Sequence, residues 1–246
     1  MKINAEQKKE TRKKIIHAAV DLIIHKDLKT ATMREIAQKA GIGDATIYNY
    51  FPTKESIVFG YYEDQFNAVI DHMKGIDHFN EFTFQEQLQA FFEGKLELYL
   101  SDREFIAKTF KTVFFSMGQN FSKMRPIRDK FLDIINDIFD AAVEAGEIPD
   151  QVFREITYQL FWDYYVGVVA YWLGDKSDRF TETSIMIDKS LDLACAVIKS
   201  GIGNKIFDMA TFLFKNHILG RLDFFKEKAD TIQKIKRSFM GTKNDK

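Results

Sequence analysis

Residues 32–51, TMREIAQKAGIGDATIYNYF, constrain the fold of this chain more than any other stretch. Thr32-Met-Arg-Glu35 fits a capping box, in which the Thr32 oxygen accepts from the backbone of Glu35 and the Glu35 side chain reaches back to Thr32. Met33, Ile36, Ala37 and Ala40 recur at i, i+3, i+4 and i+7, which gives a short helix one buried face. Gly41 stands where the chain turns sharply, a position that favours positive φ. Ile42 then re-enters the core, Gly43 or Asp44 caps a second helix, and Ile47 faces inward. Two short helices with small residues at their crossing and a glycine turn describe a helix-turn-helix. In that motif the second helix lies in the major groove of DNA, with its early residues at base edges. The exposed candidates are Asp44, Ala45, Thr46, Tyr48, Asn49 and Tyr50. Hydroxyls and phenols suit phosphate oxygens, and Asn49 offers the donor–acceptor pair that matches adenine. A helical hairpin that merely packs fits the same spacing.

The charge distribution separates the two readings. Residues 1–52 hold ten Lys and Arg against six Asp and Glu, a balance of +4. Residues 53–220 balance at −9 and residues 221–246 at +4. A basic head on an acidic body suggests that the head alone meets a polyanion. The head opens with a helix over residues 6–25, carrying Ile15, Ala19, Leu22 and Ile23 on one stripe. Its first turns present Lys8, Lys9, Arg12, Lys13 and Lys14 against the positive end of the helix dipole, a cost that a phosphate partner removes.

Behind the hairpin, Thr53 caps a helix that runs to about residue 74 and links head to body. With Gly 13 and Pro 3 in 246 residues, punctuation is sparse and long helices are expected. Helical patterning continues over residues 83–100, 102–118, 125–145, 150–173, 179–200 and 203–219, with a break at Pro126. The expected architecture is all-α, with a three-helix head over residues 1–54 joined by a long helix to a larger helical body over 55–246.

Several function classes are excluded. The single cysteine, Cys195, sits in an apolar run and permits neither an internal disulfide nor a four-thiolate zinc site. None of the five histidines has a glutamate three residues earlier, as a di-iron bundle would need, and no HExxH, P-loop or strand-borne GxGxxG occurs. An all-helical enzyme therefore has no support, and no metal or cofactor is expected. No signal-peptide pattern opens the chain, and the longest apolar run, residues 166–173, is far short of the ~20 residues of a membrane span. A cytoplasmic protein with no membrane partner is expected. The other alternative, a protein-interaction module without DNA binding, conflicts with the basic head.

The body is rich in rings, which either pack a core or line an apolar cavity for a small molecule. Phe110, Phe114, Met117 and Phe121 share one helical face, and Trp162 with Tyr165 another; these are the candidate walls. One short recognition helix reads few base pairs, so a two-fold dimer fits DNA binding. Residues 150–173, with Val152, Ile156, Leu160 and Tyr164, and 179–200, with Ile185, Ile187, Leu191, Ala194 and Ile198, are the candidate dimer helices. The basic amphipathic segment 221–240 either adds a packing helix or leans toward DNA.

The run Thr32, Ile36-Ala37, Ala40-Gly41-Ile42, Thr46-Ile47-Tyr48-Asn49-Tyr50-Phe51 and Lys54-Glu55, preceded by Ala18-Ala19 and Leu22, resembles the signature of the tetracycline-repressor (TetR) family of transcription regulators. The resemblance covers the first fifth to quarter of the chain. It implies a ligand-responsive repressor, a homodimer that leaves its double-stranded operator when a small apolar effector binds the body. It further implies phosphate contacts from Thr32, Thr46, Tyr48, Tyr50 and Lys54. Arg34, Gly43, Asp44, Ala45 and Asn49 would lie nearest the bases. The chain departs from the family where Gly43 replaces a usual Ser, Asp44 and Ala45 replace a frequent Lys and Gly, and Asp27 replaces Gly after the first helix. Asp44 either accepts from a cytosine amino group or excludes sequences by repelling phosphate.

Overall fold

A computed structural model describes residues 5–115 and 119–213, with side chains for 5–115 and 122–212. Met117, the Phe121 side chain and the basic segment from 221 onward lie outside the described residues. Within them the chain forms nine α-helices and three short 3-10 turns, with no strand.

The head begins with α1 (Ala5–Lys26), which turns Ile15, Ile16, Ala19 and Ile23 inward. α2 (Met33–Lys39) starts with the full capping box: Glu35 N–H donates to Thr32 Oγ1 at 3.3 Å, and Thr32 N–H donates to Glu35 Oε2 at 3.1 Å. It ends in a Schellman motif, with Gly41 N–H bonded to Gln38 O, Ile42 N–H bonded to Ala37 O, and Gly41 at φ +70°. The hairpin's second member is shorter than the sequence suggests. Residues 44–46 form a turn and Ile47–Asn49 a single 3-10 turn, stitched by i→i+3 bonds such as Thr46 N–H to Gly43 O. Thr46, Ile47, Tyr48 and Tyr50 are weak helix formers, and Pro52 disfavours helical geometry at Phe51, so a full α-turn gains little here.

α3 (Lys54–Lys74) opens on Thr53, whose partner in a reciprocal cap is Ser56. It runs unbroken from head to body, burying Ile57, Tyr61, Tyr62, Phe66 and Val69. α1 crosses it closely at Gly60: a Cβ there would lie 2.9 Å from the Phe51 ring and 3.1 Å from Arg12 Nη2.

The body follows as α4 (Phe84–Leu100), α5 (Arg103–Phe114), α6 (Gln119–Glu144), α7 (Arg154–Gly174), α8 (Thr181–Lys199) and α9 (Ile202–Leu213). α3 packs on α4 and α6, α4 on α8, and α5 reaches back to α1. Pro126, expected at a helix boundary, instead lies inside α6. It is exposed, so its missing N–H forfeits one backbone bond without disturbing packing. At the far end of α7, Arg103 donates to the carbonyls of Trp172 and Leu173, both at 2.9 Å, and places a cation at the helix C-terminus. The following loop is held by buried Asp175, which accepts from the backbone and hydroxyl of both Ser177 and Thr183.

The expected dimer helices divide unevenly. Val152, Ile156 and Leu160 are exposed, while Tyr164 is half-buried and hydrogen bonded to Ser190 Oγ at 2.8 Å. On α8, however, Ile187, Leu191 and Ile198 belong to the subunit's own core; Ile185, Leu193 and Val197 are the outward residues.

Candidate nucleic-acid interface and ligand-binding body

The hairpin positions the sequence-predicted contact residues on one side of the head. Tyr48 is 57% exposed, and Gly43, Asp44, Ala45 and Asn49 are also open to solvent. Thr46 and Tyr50 are half-buried, Tyr50 against the core. Thr32, Arg34, Tyr48 and Lys54 line one shallow hollow together with Lys29 and Pro52. A groove edge that presents a phenol, a guanidinium and an ammonium together suits a phosphate backbone.

Several of these groups already have partners. Arg34 Nε lies 3.2 Å from Asp44 Oδ2, so the two nominal base readers neutralise each other. The Thr32 hydroxyl donates to Glu35 Oε2 at 2.9 Å, within the cap. Lys54 Nζ donates to the carbonyls of Lys29 (2.8 Å) and Ala31 (3.0 Å), which leaves one of its three N–H groups for an acceptor. Lys26 and then Thr32 hydrogen bond the Glu35 carboxylate and hold its pKa below the usual range.

The basic start of α1 is likewise divided. Arg12 pairs with Asp64 on α3 and lies over the Phe51 ring. Lys8 and Lys9 stay exposed. On the body side, Lys108 of α5 donates to Ile24 O at the end of α1 and sits 3.1 Å from Asp27 Oδ1. Asp27 has φ +70°, which explains why glycine suits that position. Neither Arg12's partner nor Lys108's was legible in sequence, because both are contacts between helices distant along the chain.

In the body, the predicted aromatic residues with described side chains come together. Phe114 meets Phe110 at 5.0 Å and Trp162 and Tyr165 at 5.9 Å, while Trp162 meets Tyr165 at 5.7 Å. Tyr62 and Phe66 of α3 join them, through Phe114 and Tyr165 respectively. These rings pack against one another. Two hollows lie elsewhere: one of about 690 Å³ between the end of α3, α4 and α6, floored by Met73, Gln87 and Ile138, and one on the α7–α9 face beside Leu160 and Val197. Lys95, which the sequence reading passed over, is fully buried within the ring cluster. Its signal was available: it falls at i+7 in the apolar series Leu88, Phe91, Phe92, Tyr99.

Among the described residues, no helix is long and apolar enough to cross a membrane, and no group of three or more His, Cys, Asp or Glu could hold a metal ion. Cys195 is buried, and burial pushes its thiol up to about 11.

Known proteins match this arrangement in both parts. The family model described as tetracyclin repressor-like, C-terminal domain matches residues 87–213, and that of bacterial regulatory proteins, tetR family, matches residues 15–60. The fatty acid metabolism regulator protein of Bacillus subtilis is 25% identical over 200 residues, which span 81% of this chain and all of that protein. The structure of the transcriptional regulator FadR from Bacillus subtilis in complex with stearoyl-CoA superposes with a TM-score of 0.59 at 22% identity, covering 77% of this chain and 98% of that one. The fatty acid degradation regulator FadR from Bacillus halodurans gives 0.60 at 20% identity, covering 73% and 96%. The chain therefore belongs to the tetR family of bacterial regulatory proteins, and it is a ligand-responsive, DNA-binding transcriptional regulator.

Proposed function

We propose that the protein is a homodimeric repressor that leaves its operator when a molecule with a long acyl chain enters the helical body. The observation that carries this reading is the way two elements join the ring cluster to the head. α3 begins beside the hairpin at the Thr53 cap and contributes Tyr62 and Phe66 to the cluster. α5 contributes Phe110 and Phe114 and holds the end of α1 through Lys108. A ligand among the rings thus bears on both elements that orient the head. It releases DNA only to the extent that it binds the two arrangements of the dimer with different affinity. The relatives named for fatty acid regulation, one of them solved with stearoyl-CoA, support an acyl chain as the apolar portion of the effector.

In this reading residues 1–54 are the DNA-binding head and 55–246 the ligand-binding and dimerisation body. Thr46, Tyr48, Tyr50 and the remaining N–H of Lys54 meet phosphates, with Thr32 contributing through the helix start that it caps. Arg34, Gly43, Asp44, Ala45 and Asn49 face the bases.

The test is a footprint with purified protein over the DNA flanking its own gene, repeated at rising salt and with added acyl ligands. One or a few protected sites are expected, with affinity falling steeply as salt rises and protection lost on addition of a long-chain acyl compound. Salt-insensitive binding with no protected site would remove the DNA reading. The double substitution Tyr48→Phe with Arg34→Ala should abolish protection while leaving thermal stability nearly unchanged, since both side chains are exposed.

A further inference from the structure

At the centre of the ring cluster is a charged residue type that contacts two rings and has no hydrogen-bond partner. Lys95 is 0% exposed, and its Nζ is buried without a hydrogen-bond partner. The nitrogen lies 4.2 Å from the centroid of the Phe66 ring and 4.4 Å from that of Tyr99. The Tyr99 and Tyr165 hydroxyls bond each other at 2.8 Å, which uses one O–H as donor and the other oxygen as acceptor. Tyr62 and Thr109, by contrast, form a complete chain, because Thr109 Oγ1 passes its hydrogen to Phe105 O at 2.8 Å. Gln65 Oε1, on α3 one residue before Phe66, is also buried without a partner, but a neutral amide oxygen does not balance an ammonium.

Burial holds the Lys95 ammonium well below its ordinary pKa and pushes the Tyr99 and Tyr165 phenols up. An unpaired buried polar group is costly, and a methionine of similar length would fill the same space without that cost. The amine is explained by an acceptor that is absent until a ligand arrives.

We propose that Lys95, with the Tyr99–Tyr165 hydroxyl pair, binds the carboxylate head of an acyl effector, so that the regulator distinguishes a free long-chain acid from its esters. The inference rests on the acyl-effector reading above and adds which end of the ligand is recognised. A row of ring contacts leads inward to the site. It starts at Phe115, 64% exposed, and passes through Phe110, Phe114 and Tyr165 to the Tyr99 hydroxyl and Lys95. The carboxylate supplies the acceptor that the buried Nζ lacks, and the Tyr99–Tyr165 hydroxyl pair beside it supplies a second hydrogen bond to the same head group.

The experiment titrates the full-length protein with hexadecanoate, methyl hexadecanoate and hexadecanoyl-CoA, following the fluorescence of Trp162, which touches Phe114 and Tyr165. Wild type should bind the acid at least about tenfold more tightly than the methyl ester, the size expected of a charge-assisted hydrogen bond. Lys95→Met should bind both alike within about twofold while melting no lower than wild type. Should the variant fold poorly, Tyr99→Phe with Tyr165→Phe provides the second arm, and a reduced preference for the acid is expected there too. A wild type that does not separate acid from ester, or a Lys95→Met that keeps the preference, overturns the assignment. Binding of hexadecanoyl-CoA alone leaves the acyl-effector reading standing and removes Lys95 from it. Binding of none of the three removes both.

Discussion

Arg34 and Asp44 form an ion pair on the exposed side of the head, among the residues proposed to face the bases. Their 3.2 Å contact joins two groups that are each more than half exposed, so the pair itself is weak, on the order of 1 kcal/mol or less. On the proposed function its effect on DNA binding is larger in kind, because Asp44 then both occupies the guanidinium and faces the DNA with a negative charge. Asp44→Asn should raise operator affinity about two- to fivefold and steepen the salt dependence by about one charge. Fluorescence anisotropy at four or five salt concentrations reads both, and an unchanged slope would mean that the Asp44 charge lies out of reach of the DNA backbone. A second prediction concerns Asp175. The Thr183 hydroxyl, followed by Ser177, holds its carboxyl well below the usual range. A depressed carboxyl stabilises the fold above the unfolded-state value of about 4 and loses that contribution as pH falls through its folded-state value. Asp175→Asn should therefore melt well below wild type at pH 7 and pH 5, with the gap closing only below about pH 4. A gap that stays constant into strong acid would assign the cost to shape and not to charge.

Helix ends were largely legible in the sequence where a cap marked them. Thr32, Thr53 and Thr83 each begin a helix with a reciprocal side-chain cap, and Gly41 ends one at positive φ. Pro126 misled because a proline signals a boundary only when its neighbours agree, and here the apolar stripe of α6 continues on both sides of it. The recognition element misled for the opposite reason: its pattern is helical, but the run between Gly43 and Pro52 is too short and too β-branched to sustain an α-helix. What sequence could not supply was the set of contacts between elements, on which the proposed coupling rests. Lys108 ties α5 to the last turn of α1, where its ammonium meets the Ile24 carbonyl and Asp27 together. Lys108→Met should leave operator binding within a few-fold of wild type but weaken the response to effector, visible as a larger ligand concentration needed for release. Equal release curves for both proteins would place the coupling in α3 alone. Gly60→Ala tests the other joint, where the added methyl would press on Phe51 and Arg12. A loss of about 1–3 kcal/mol is expected from chemical denaturation, and full stability would show that α1 and α3 separate at no cost.

Among the described residues, one large apolar surface is left uncovered. Ile156 and Leu160 on α7, Leu193 and Val197 on α8, and Ile202, Ile206 and Met209 on α9 are all substantially exposed, with Leu160 at 62%. Monomeric proteins seldom carry so many large apolar side chains on adjacent helices, and the face lies in the body, away from the basic head. A second copy of the chain fits it because an isologous contact of such helices buries the same residues on both subunits. The resulting two-fold pair presents two heads to two half-sites, which a head with a single 3-10 recognition turn needs more than most. Leu160→Glu combined with Val197→Glu places two charges on each side of that contact, where repulsion across the two-fold axis disfavours pairing. Neither residue belongs to the subunit's own core, so helical content by circular dichroism should not change. Light scattering should report a monomer, and operator affinity should fall on the order of 100-fold or more once the two heads bind independently. A dimer that survives both charges would move the interface to another face. A monomer that binds the operator as tightly as wild type would show that one head is sufficient, and the two-fold argument for the body would then have no basis in DNA recognition.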